Sequence, residues 1–567
     1  MRKSICNKKR INEEYWTILI VLSIVLLVRA RFGFDNVDEP FYLAIIDRFW
    51  KGDTPIVDEW NPAQLFFIPL VPIYALYKTF FAWICGAIVF FRELAVFFST
   101  IISMYLYNGL KSVTSKRNAF YISVLVMLYS RGNIPGIKYY DIYAYAIVLL
   151  FFWEIKKQRN KGRVLLYAFF QGIVLAIAIL CMPYFAITLP FILGWAISRR
   201  RIHELVITVC GGLAVGLGVI GSFLSRCSRI QLLKCASYIM DNDEHSEGII
   251  TFLYHDLKAV VHVISAPGCL YVFAISIVIV VAKKGNLYEK HVKRMIAISF
   301  LLMVVDLAIR YKDINDPYAI LAIYAFPCFL YTCIHILKGE ERKLYIGGWL
   351  WGILAALIFG CASNVNVQAL STGLLLVDLV TLLGIEKYVE LHGNTYIKYA
   401  FAIVLVSCLL QRVLIISGGD YLLNQNSKIK IGAYKGIYSS PNVAERYEKT
   451  VRQIYGIEND WKEDRMYISG WMMWAYADTH YKCGADTVWA GQSSTSIAFN
   501  EYYSVNPKNI PNVILVSKED DDVISLESGT IRNKIGGKLA DLYVNQGYDV
   551  KDCDSFWAIH LRNVNNE

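Results

Sequence analysis

Long apolar runs separated by short polar loops fill the first three quarters of the chain. Apolar stretches of roughly 18 to 22 residues recur, each long enough for a helix to cross a bilayer. We predict about thirteen transmembrane helices, near residues 16–33, 82–108, 119–134, 140–155, 164–182, 184–198, 204–223, 258–282, 294–310, 318–337, 343–361, 368–385 and 398–417. A shorter apolar stretch at 65–77 contains Pro69 and Pro72, which favours a helix lying in the membrane interface.

Basic residues are concentrated in alternate loops. Cytoplasmic loops of membrane proteins carry an excess of Lys and Arg. The basic clusters lie at residues 2–10, 111–117, 156–163, 199–201, 283–294 and 338–343. The predicted spans place all of them on one side, so we expect the N-terminus in the cytoplasm and the C-terminal segment outside the plasma membrane.

The composition changes near residue 419. The whole chain has 567 residues, is 56% hydrophobic and 18% charged, and carries a net charge of +10. From Gly419 onward, 16 Lys and Arg face 20 Asp and Glu, a balance of −4, so the remainder carries +14. The runs 465–470 and 512–516 have the pattern of strands, with a helix-like segment at 471–482 between them. We predict a transmembrane domain at 1–418, with a first external loop at 34–80, and an extracytoplasmic α/β domain at 419–567.

Most of the thirteen cysteines lie within apolar runs, where they act as small hydrophobic residues. Cys483 and Cys553 lie in the C-terminal segment and are candidates for a disulfide if that segment is external. The sequence does not determine whether these two cysteines pair.

Acidic residues are concentrated in the loop that follows the first apolar run. Asp38 and Glu39 stand directly after this run, and Asp58 and Glu59 follow before the next long one. Carboxylates at the edge of a membrane are costly to retain, and their presence there indicates a functional site. The alternative is structural, because an acidic pair just before Pro40 also suits the start of a short helix.

The segment 38–53, with the sequence DEPFYLAIIDRFWKGD, resembles the first external loop of GT-C glycosyltransferases. In particular, it resembles the protein O-mannosyltransferase and lipid A aminoarabinose transferase group, glycosyltransferase family 39 and its relatives. The shared features are the acidic pair after the first span, a following aromatic residue, and a helix ending in Gly-Asp. Asn61 stands where these proteins often carry a basic residue before proline.

The resemblance implies an enzyme that takes a sugar from a polyprenyl-phosphate donor. An acceptor hydroxyl must lose its proton as it attacks, and a positioned carboxylate can accept it. Asp38 is therefore the expected general base, with inversion at the anomeric carbon. Glu39 is expected to bind the sugar or orient the loop, and contacts with the substrate are expected from Tyr42, Asp58 and Glu59.

The resemblance also implies a second acid from the second external loop, and Asp141 occupies that place. Its alternative role is to cap the next helix. A departing lipid phosphate needs cationic partners, for which Arg310, Lys312 and Lys138 are candidates. Snorkelling of these side chains at helix ends is the alternative explanation.

Other kinds of site have little support in the sequence. Asp38, Glu39 and Asp141 carry the oxygen ligands that a divalent cation prefers, although their spacing does not require one. The histidines and cysteines show no metal-ligand spacing, and no nucleophile elbow or phosphate-binding glycine loop is present. The basic residues do not form a stripe with interleaved aromatics, so nucleic-acid binding is not expected.

The sequence therefore predicts a GT-C-like membrane glycosyltransferase that acts on a glycan, lipid or protein hydroxyl in the cell envelope. A first alternative is a polysaccharide polymerase or ligase that uses a lipid diphosphate-linked oligosaccharide. A second is a transporter or flippase of lipid-linked sugars, since Asp306 and Asp378 lie within predicted spans.

Overall fold

The structure is a computed structural model of the 567-residue chain. The structure describes residues 2–130, 134–198, 201–224, 226–240, 267–281, 286–309, 316–361, 367–393, 395–416, 421–489, 496–518 and 537–562. The predicted site residues Arg310 and Lys312 lie outside these ranges.

Helices make up most of the described chain before residue 415. The first ten are α1 (Arg2–Arg29), α2 (Asp38–Trp50), α3 (Val71–Phe80), α4 (Ala87–Leu110), α5 (Lys116–Leu128), α6 (Tyr139–Arg159), α7 (Val164–Cys181), α8 (Leu189–Ser198), α9 (Ile202–Leu224) and α10 (Arg229–Met240). The next six are α11 (Pro267–Val281), α12 (Asn286–Ile309), α13 (Asp316–Tyr331), α14 (Gly339–Cys361), α15 (Val367–His392) and α16 (Thr395–Leu414). Short 3-10 helices at Pro62–Leu70, Lys161–Arg163 and Pro183–Thr188, and a π-helical turn at Thr332–Ile336, adjoin them.

Seven helices among the described residues are long and apolar enough to cross a membrane. They are Pro62–Phe80, Ala87–Leu110, Lys161–Cys181, Ile202–Leu224, Pro317–Ile336, Gly339–Gly360 and Tyr396–Leu414. Each of the predicted runs overlaps a described helix, which confirms a polytopic helical architecture, while the number of thirteen spans stays a prediction. The Pro62–Phe80 segment is divided into a 3-10 helix and α3, and its interfacial position also stays a prediction.

The C-terminal part is a mixed α/β fold. Its elements are a 3-10 helix (Leu422–Asn424), β1 (Ser427–Lys428), β2 (Tyr438–Ser439), α17 (Pro441–Asp460), β3 (Arg465–Ser469), α18 (Ala475–Asp478), β4 (Lys482–Cys483), α19 (Ser496–Val505), a 3-10 helix (Pro507–Asn509), β5 (Val513–Ser517), α20 (Gly537–Gln546), β6 (Tyr548–Asp552) and β7 (Phe556–Leu561). The predicted strands at 465–470 and 512–516 are confirmed as β3 and β5. The helix predicted over 471–482 was too long, because the chain becomes extended at Thr479 and enters β4 at Lys482.

The five-stranded sheet has the order β4-β3-β5-β7-β6. β3 pairs in parallel with β4 and β5, and β7 pairs antiparallel with β5 and β6. β3 is buried along its whole length and β5 along most of it, as expected for central strands covered on both faces. The prediction of a C-terminal α/β domain is therefore confirmed.

Cys483 and Cys553 are free thiols in the structure. Cys483 lies on the edge strand β4, and Cys553 directly follows β6 at the other edge of the sheet. Four strand spacings of about 4.8 Å separate these edges by roughly 19 Å, whereas a disulfide requires Cα atoms within about 7 Å. The two cysteines therefore do not form a disulfide in this fold.

The chain divides into two compact units. The helical unit comprises Met1–Ala30, Glu93–Gly216 and Glu247–Leu422. The mixed unit comprises Arg31–Arg92, Leu217–Ser246 and Leu423–Glu567. The boundary at Leu422 lies close to the predicted one at 418. The first loop, which the apolar pattern placed in the transmembrane domain, belongs to the mixed unit.

Close packing in the helical unit depends on glycine. A Cβ atom on Gly172 would lie 1.8 Å from the carbonyl oxygen of Thr208, and one on Gly211 would lie 2.1 Å from that of Phe169. These contacts bring the backbones of α7 and α9 together, which only small residues permit. The same effect joins α14 to α15, where a Cβ on Gly373 would lie 2.2 Å from the backbone nitrogen of Ala356.

Candidate active site in the first loop

The first loop begins as an addition to the short β1–β2 pair of the mixed unit. The backbone amide of Tyr438 donates to the carbonyl of Arg31 at 2.7 Å, and the amide of Gly33 donates to the carbonyl of Tyr438 at 2.9 Å. The rings of Phe32 and Tyr438 stack with their centroids 5.1 Å apart. The chain is therefore fixed just before its acidic residues.

The next residues turn the chain into helix α2. Phe34 stacks on Tyr434 with a centroid distance of 4.3 Å, and the hydroxyl of Tyr434 donates to the carbonyl of Asp35. Oδ1 of Asp35 accepts a hydrogen bond from the backbone amide of Val37 at 2.9 Å. Such a bond stabilises a local turn, so Asp35 has a structural use within the loop.

Asp38 is the first residue of α2 and is partly exposed. The N-cap is Val37, and no side chain forms a cap hydrogen bond. The capping role considered for the acidic pair is therefore not realised here. Both acids lie in the first turn instead, where the partial positive charge of the helix end favours a carboxylate.

Glu39 is held by Arg92. Nε of Arg92 donates to Oε1 of Glu39 at 2.8 Å, and Nη2 donates to Oε2. The arginine side chain is fully buried and the glutamate side chain is 6% exposed. Forked ion pairs of this kind fix both side chains. Glu39 therefore anchors the helix turn that carries Asp38.

Arg48, on the same helix, is the centre of a second buried cluster. Its Nε lies 3.0 Å from Oδ2 of Asp53, and its Nη1 lies 2.9 Å from Oε2 of Glu59. Its Nη2 donates to the carbonyl of Asp58 and to the hydroxyl of Tyr502, the latter at 2.8 Å. The cluster joins the first loop to the C-terminal segment within the mixed unit.

The predicted substrate contacts Asp58, Glu59 and Tyr42 are all buried. Asp58 is 2% exposed and accepts from the backbone amide of Thr54 at 2.6 Å and from Nδ2 of Asn509 at 2.8 Å. Glu59 is fully buried, and Tyr42 is 6% exposed. These placements favour a supporting role for the three residues.

Lys51 makes a further connection that the sequence did not indicate. Its Nζ donates to the backbone carbonyls of Tyr476, Thr479 and Tyr481 at 2.5, 2.9 and 2.9 Å. It also lies 2.5 Å from Oδ2 of Asp47. The ammonium group thus satisfies carbonyls around the C-terminal end of α18. The signal available in the sequence was a pair of cations, Arg48 and Lys51, near the C-terminal end of α2.

Burial changes the acidity of two groups near this cluster. Burial raises the pKa of Glu59, and the ion pair with Arg48 opposes that effect. Burial also raises the pKa of Asp486 to about 7, with a further contribution from the charge of Glu59. Oδ1 of Asp486 is buried and has no hydrogen-bond partner among the described residues. This carboxyl group therefore titrates near neutral pH.

The helical unit contains the other predicted acid, Asp141, in the first turn of α6. Asp141 is 3% exposed, and its Oδ2 accepts a hydrogen bond from the hydroxyl of Ser130 at 2.6 Å. Asp141 and Arg412 both line a small cavity of about 30 Å³. Arg412 donates to the carbonyls of Leu128 and Ser130 at 3.1 and 2.8 Å. Lys138, the residue before α6, is also buried. Sequence patterns did not single out Arg412.

Asp38 and Asp141 belong to different compact units, so their joint action stays a prediction. Within the described ranges, no group of three or more His, Cys, Asp or Glu side chains is arranged to hold a metal ion. Both carboxylate oxygens of Glu39, one of the possible oxygen ligands, are engaged by Arg92.

No protein-family model matches the chain, and no curated protein matches it. Among solved structures, it is similar to the archaeal oligosaccharyltransferase AglB from Archaeoglobus fulgidus in complex with an inhibitory peptide and a dolichol-phosphate. The identity is 14% over 98% of this chain and 75% of that chain, with a TM-score of 0.43. It is also similar to the Archaeoglobus fulgidus oligosaccharyltransferase tethered to an acceptor peptide containing the NVT sequon through a disulfide bond. Here the identity is 12% over 97% of this chain and 74% of that chain, with a TM-score of 0.44.

Both of these proteins are oligosaccharyltransferases. TM-scores of 0.43 and 0.44 are too low to transfer residue roles. We therefore base the functional proposal on the residues of this chain.

Proposed function

We propose that the chain is a membrane glycosyltransferase that moves a sugar from a polyprenyl-phosphate donor to an acceptor hydroxyl of the cell envelope. The observation that supports this most is the position of Asp38. It is partly exposed at the N-terminal end of α2, and the next residue along the helix is fixed by a buried ion pair. A reacting group supported by rigid neighbours is what proton transfer requires.

In the proposed reaction, the acceptor oxygen attacks the anomeric carbon while Asp38 accepts the hydroxyl proton. A new bond forms between the acceptor oxygen and the sugar, and the bond from the sugar to the phosphate oxygen breaks. The electron pair of that bond leaves with the polyprenyl phosphate. A single displacement of this kind inverts the configuration at the anomeric carbon.

The other residues have supporting roles in this proposal. Glu39 and Arg92 hold the first turn of α2, and Arg48 holds its last turn through Asp53 and Glu59. Asp141 is proposed to hold or polarise the acceptor. The negative charge of the departing phosphate is proposed to be stabilised by the cationic side chains of Lys138, Arg310 and Lys312.

The proposed site of action is the outer face of the plasma membrane. The bias of basic residues towards one set of loops supports this orientation, with the N-terminus in the cytoplasm and the mixed unit outside. A lipid donor also gives a physical reason for the enzyme to reside in the membrane, since its isoprenoid chain is retained there.

One observation favours a transporter of lipid-linked sugars as a second candidate. Asp378 is fully buried within α15, and neither of its carboxylate oxygens has a hydrogen-bond partner among the described residues. Ionisable groups within a membrane often mark a proton or ion path. In that case the movement of the lipid-linked sugar would require Asp378 and would not require Asp38.

The experiment is a transfer assay with purified full-length protein in lipid vesicles. A polyprenyl-phosphate fraction carrying a radiolabelled sugar serves as the donor, and a cell-envelope extract serves as the acceptor. We expect the label to pass from the lipid to the acceptor fraction only when the protein is present. Movement of intact labelled lipid between leaflets, with no transfer to the acceptor, would instead identify a transporter.

A further inference from the structure

A cavity of about 510 Å³ lies among the helices of the helical unit. It is bounded by residues of α6, α7, α8, α9 and α14. Its volume falls within the range of pockets that bind small molecules, about 300 to 1,000 Å³. The proposed transferase chemistry assigns no role to this cavity.

One part of the cavity wall is apolar. Phe151, Leu175, Phe191 and Trp351 contribute to it, and Phe191 is 70% exposed. Gly347 also lines the cavity, and a Cβ atom placed on it would have no other atom within 4 Å. The wall is therefore open to an apolar chain that follows the helices.

The other part of the wall carries a ring of four charged side chains. Nζ of Lys157 lies 2.9 Å from Oε2 of Glu154 and 3.0 Å from Oε2 of Glu204. Nη1 of Arg201 lies 2.9 Å from Oε1 of Glu154 and 3.8 Å from Oε2 of Glu204. The ring has two charges of each sign, so its net charge is zero.

The ring remains accessible although its members pair with one another. Arg201 is 30% exposed, Glu204 is 21% exposed and Glu154 is 18% exposed. It lies at the ends of helices joined by the basic loops, which the charge bias predicts to be cytoplasmic. The cavity thus combines an apolar wall with a polar end that carries both positive and negative charges. This arrangement matches the acyl chains and headgroups of the inner leaflet of a bilayer.

We infer that this cavity binds a phospholipid with a zwitterionic headgroup, such as phosphatidylethanolamine. Its acyl chain lies along the apolar wall, its phosphate faces Arg201 and Lys157, and its ammonium group faces Glu204 and Glu154. A singly anionic headgroup fits less well, because the two cations of the ring are already balanced by two carboxylates.

The test is the lipid content of the full-length protein purified in a mild detergent, measured by mass spectrometry after lipid extraction. The wild type should retain phosphatidylethanolamine in preference to phosphatidylglycerol when both are added in equal amounts. Gly347→Leu fills the open wall, and we expect roughly tenfold lower retention of the lipid. Gly194→Leu is the matched control, since a Cβ atom placed on Gly194 would also have no other atom within 4 Å, and Gly194 does not line the cavity.

A second variant tests the headgroup assignment and does not depend on filling the wall. Glu204→Gln leaves the ring with a net charge of +1, so the preference should shift roughly fivefold towards phosphatidylglycerol. Equal retention by the Gly347→Leu and Gly194→Leu proteins would overturn the inference, as would an unchanged preference in Glu204→Gln. Asp38→Asn should retain the lipid as the wild type does, so this result is independent of whether the chain is a transferase.

Discussion

Replacing Glu39 with glutamine is expected to destabilise the mixed unit without removing a reacting group. Glu39 receives two hydrogen bonds from Arg92, and the two side chains are 6% and 0% exposed. Glutamine has a similar shape but no charge. The substitution would therefore leave a guanidinium group buried without its counter-ion.

The expected loss of stability in Glu39→Gln follows from this burial. Removing one partner of a buried ion pair typically costs about 3 to 5 kcal/mol, mostly because the remaining charge is left unpaired. We expect the lower end of that range for Glu39→Gln, since the amide oxygen still accepts one hydrogen bond. Arg92→Met should cost a similar amount. The double variant should cost less than the sum of the two, with a coupling on the order of 2 kcal/mol.

The assay is thermal unfolding of the full-length protein in detergent, with sugar transfer measured well below the melting temperature. The control is Arg452→Met, which removes the ion pair between Arg452 and Glu448 in the same unit. In this pair Nη2 of Arg452 lies 2.9 Å from Oε2 of Glu448. Arg452 is 65% exposed, so its loss should cost under about 1 kcal/mol. At low temperature we expect Glu39→Gln to retain most of the transfer activity.

The opposite pattern would refute this reasoning. If Glu39→Gln left the melting temperature unchanged and abolished transfer at all temperatures, Glu39 would be a group that touches the substrate. The ion pair with Arg92 would then not be its main function.

Three further predictions concern other buried charges. Arg48→Met should lower stability by at least about 3 kcal/mol, because Glu59 would remain buried without its cation; thermal unfolding measures this, and an unchanged midpoint would contradict it. The pKa of Asp486 is raised in the fold to about 7, so its contribution to stability is present at low pH and is lost as the pH rises from about 4 to 7. Asp486→Asn should therefore reduce the loss of stability between pH 5 and pH 8, a difference of up to about 2.5 kcal/mol that unfolding at both pH values measures. Asp378→Leu should preserve sugar transfer and raise stability on the order of 1 kcal/mol, because both carboxylate oxygens lack described partners; loss of transfer in this variant would contradict this prediction and show that transfer requires Asp378.

Much of the architecture could be predicted from local patterns in the sequence. The helices of the helical unit coincide with long apolar runs, since a membrane-crossing helix must be apolar over its length. The strands β3 and β5 were recognisable as compact apolar runs bounded by polar residues. The short length of α18 could not be recognised, because the helix-like composition continues past Thr479, where the backbone becomes extended.

The internal contacts of the candidate site could not be predicted in the same way. Glu39 and Arg92 are 53 residues apart, and Arg48 and Tyr502 are 454 residues apart. Local sequence patterns carry no information about pairs at such separations. The sequence did indicate that the loop is unusual, because acids and cations alternate with apolar residues along α2. It did not show that most of these charges neutralise one another within the mixed unit.

The most direct test of the proposed function compares Asp38→Asn with Asp35→Asn in the transfer assay. Asparagine at position 35 can still accept the hydrogen bond from the amide of Val37, so this control should keep the loop intact. A general base contributes about 10² to 10⁴ in rate, so Asp38→Asn should lose at least roughly 100-fold in transfer while its melting temperature stays near that of the wild type. Transfer by Asp38→Asn at the wild-type rate would contradict the assignment of Asp38 as the base.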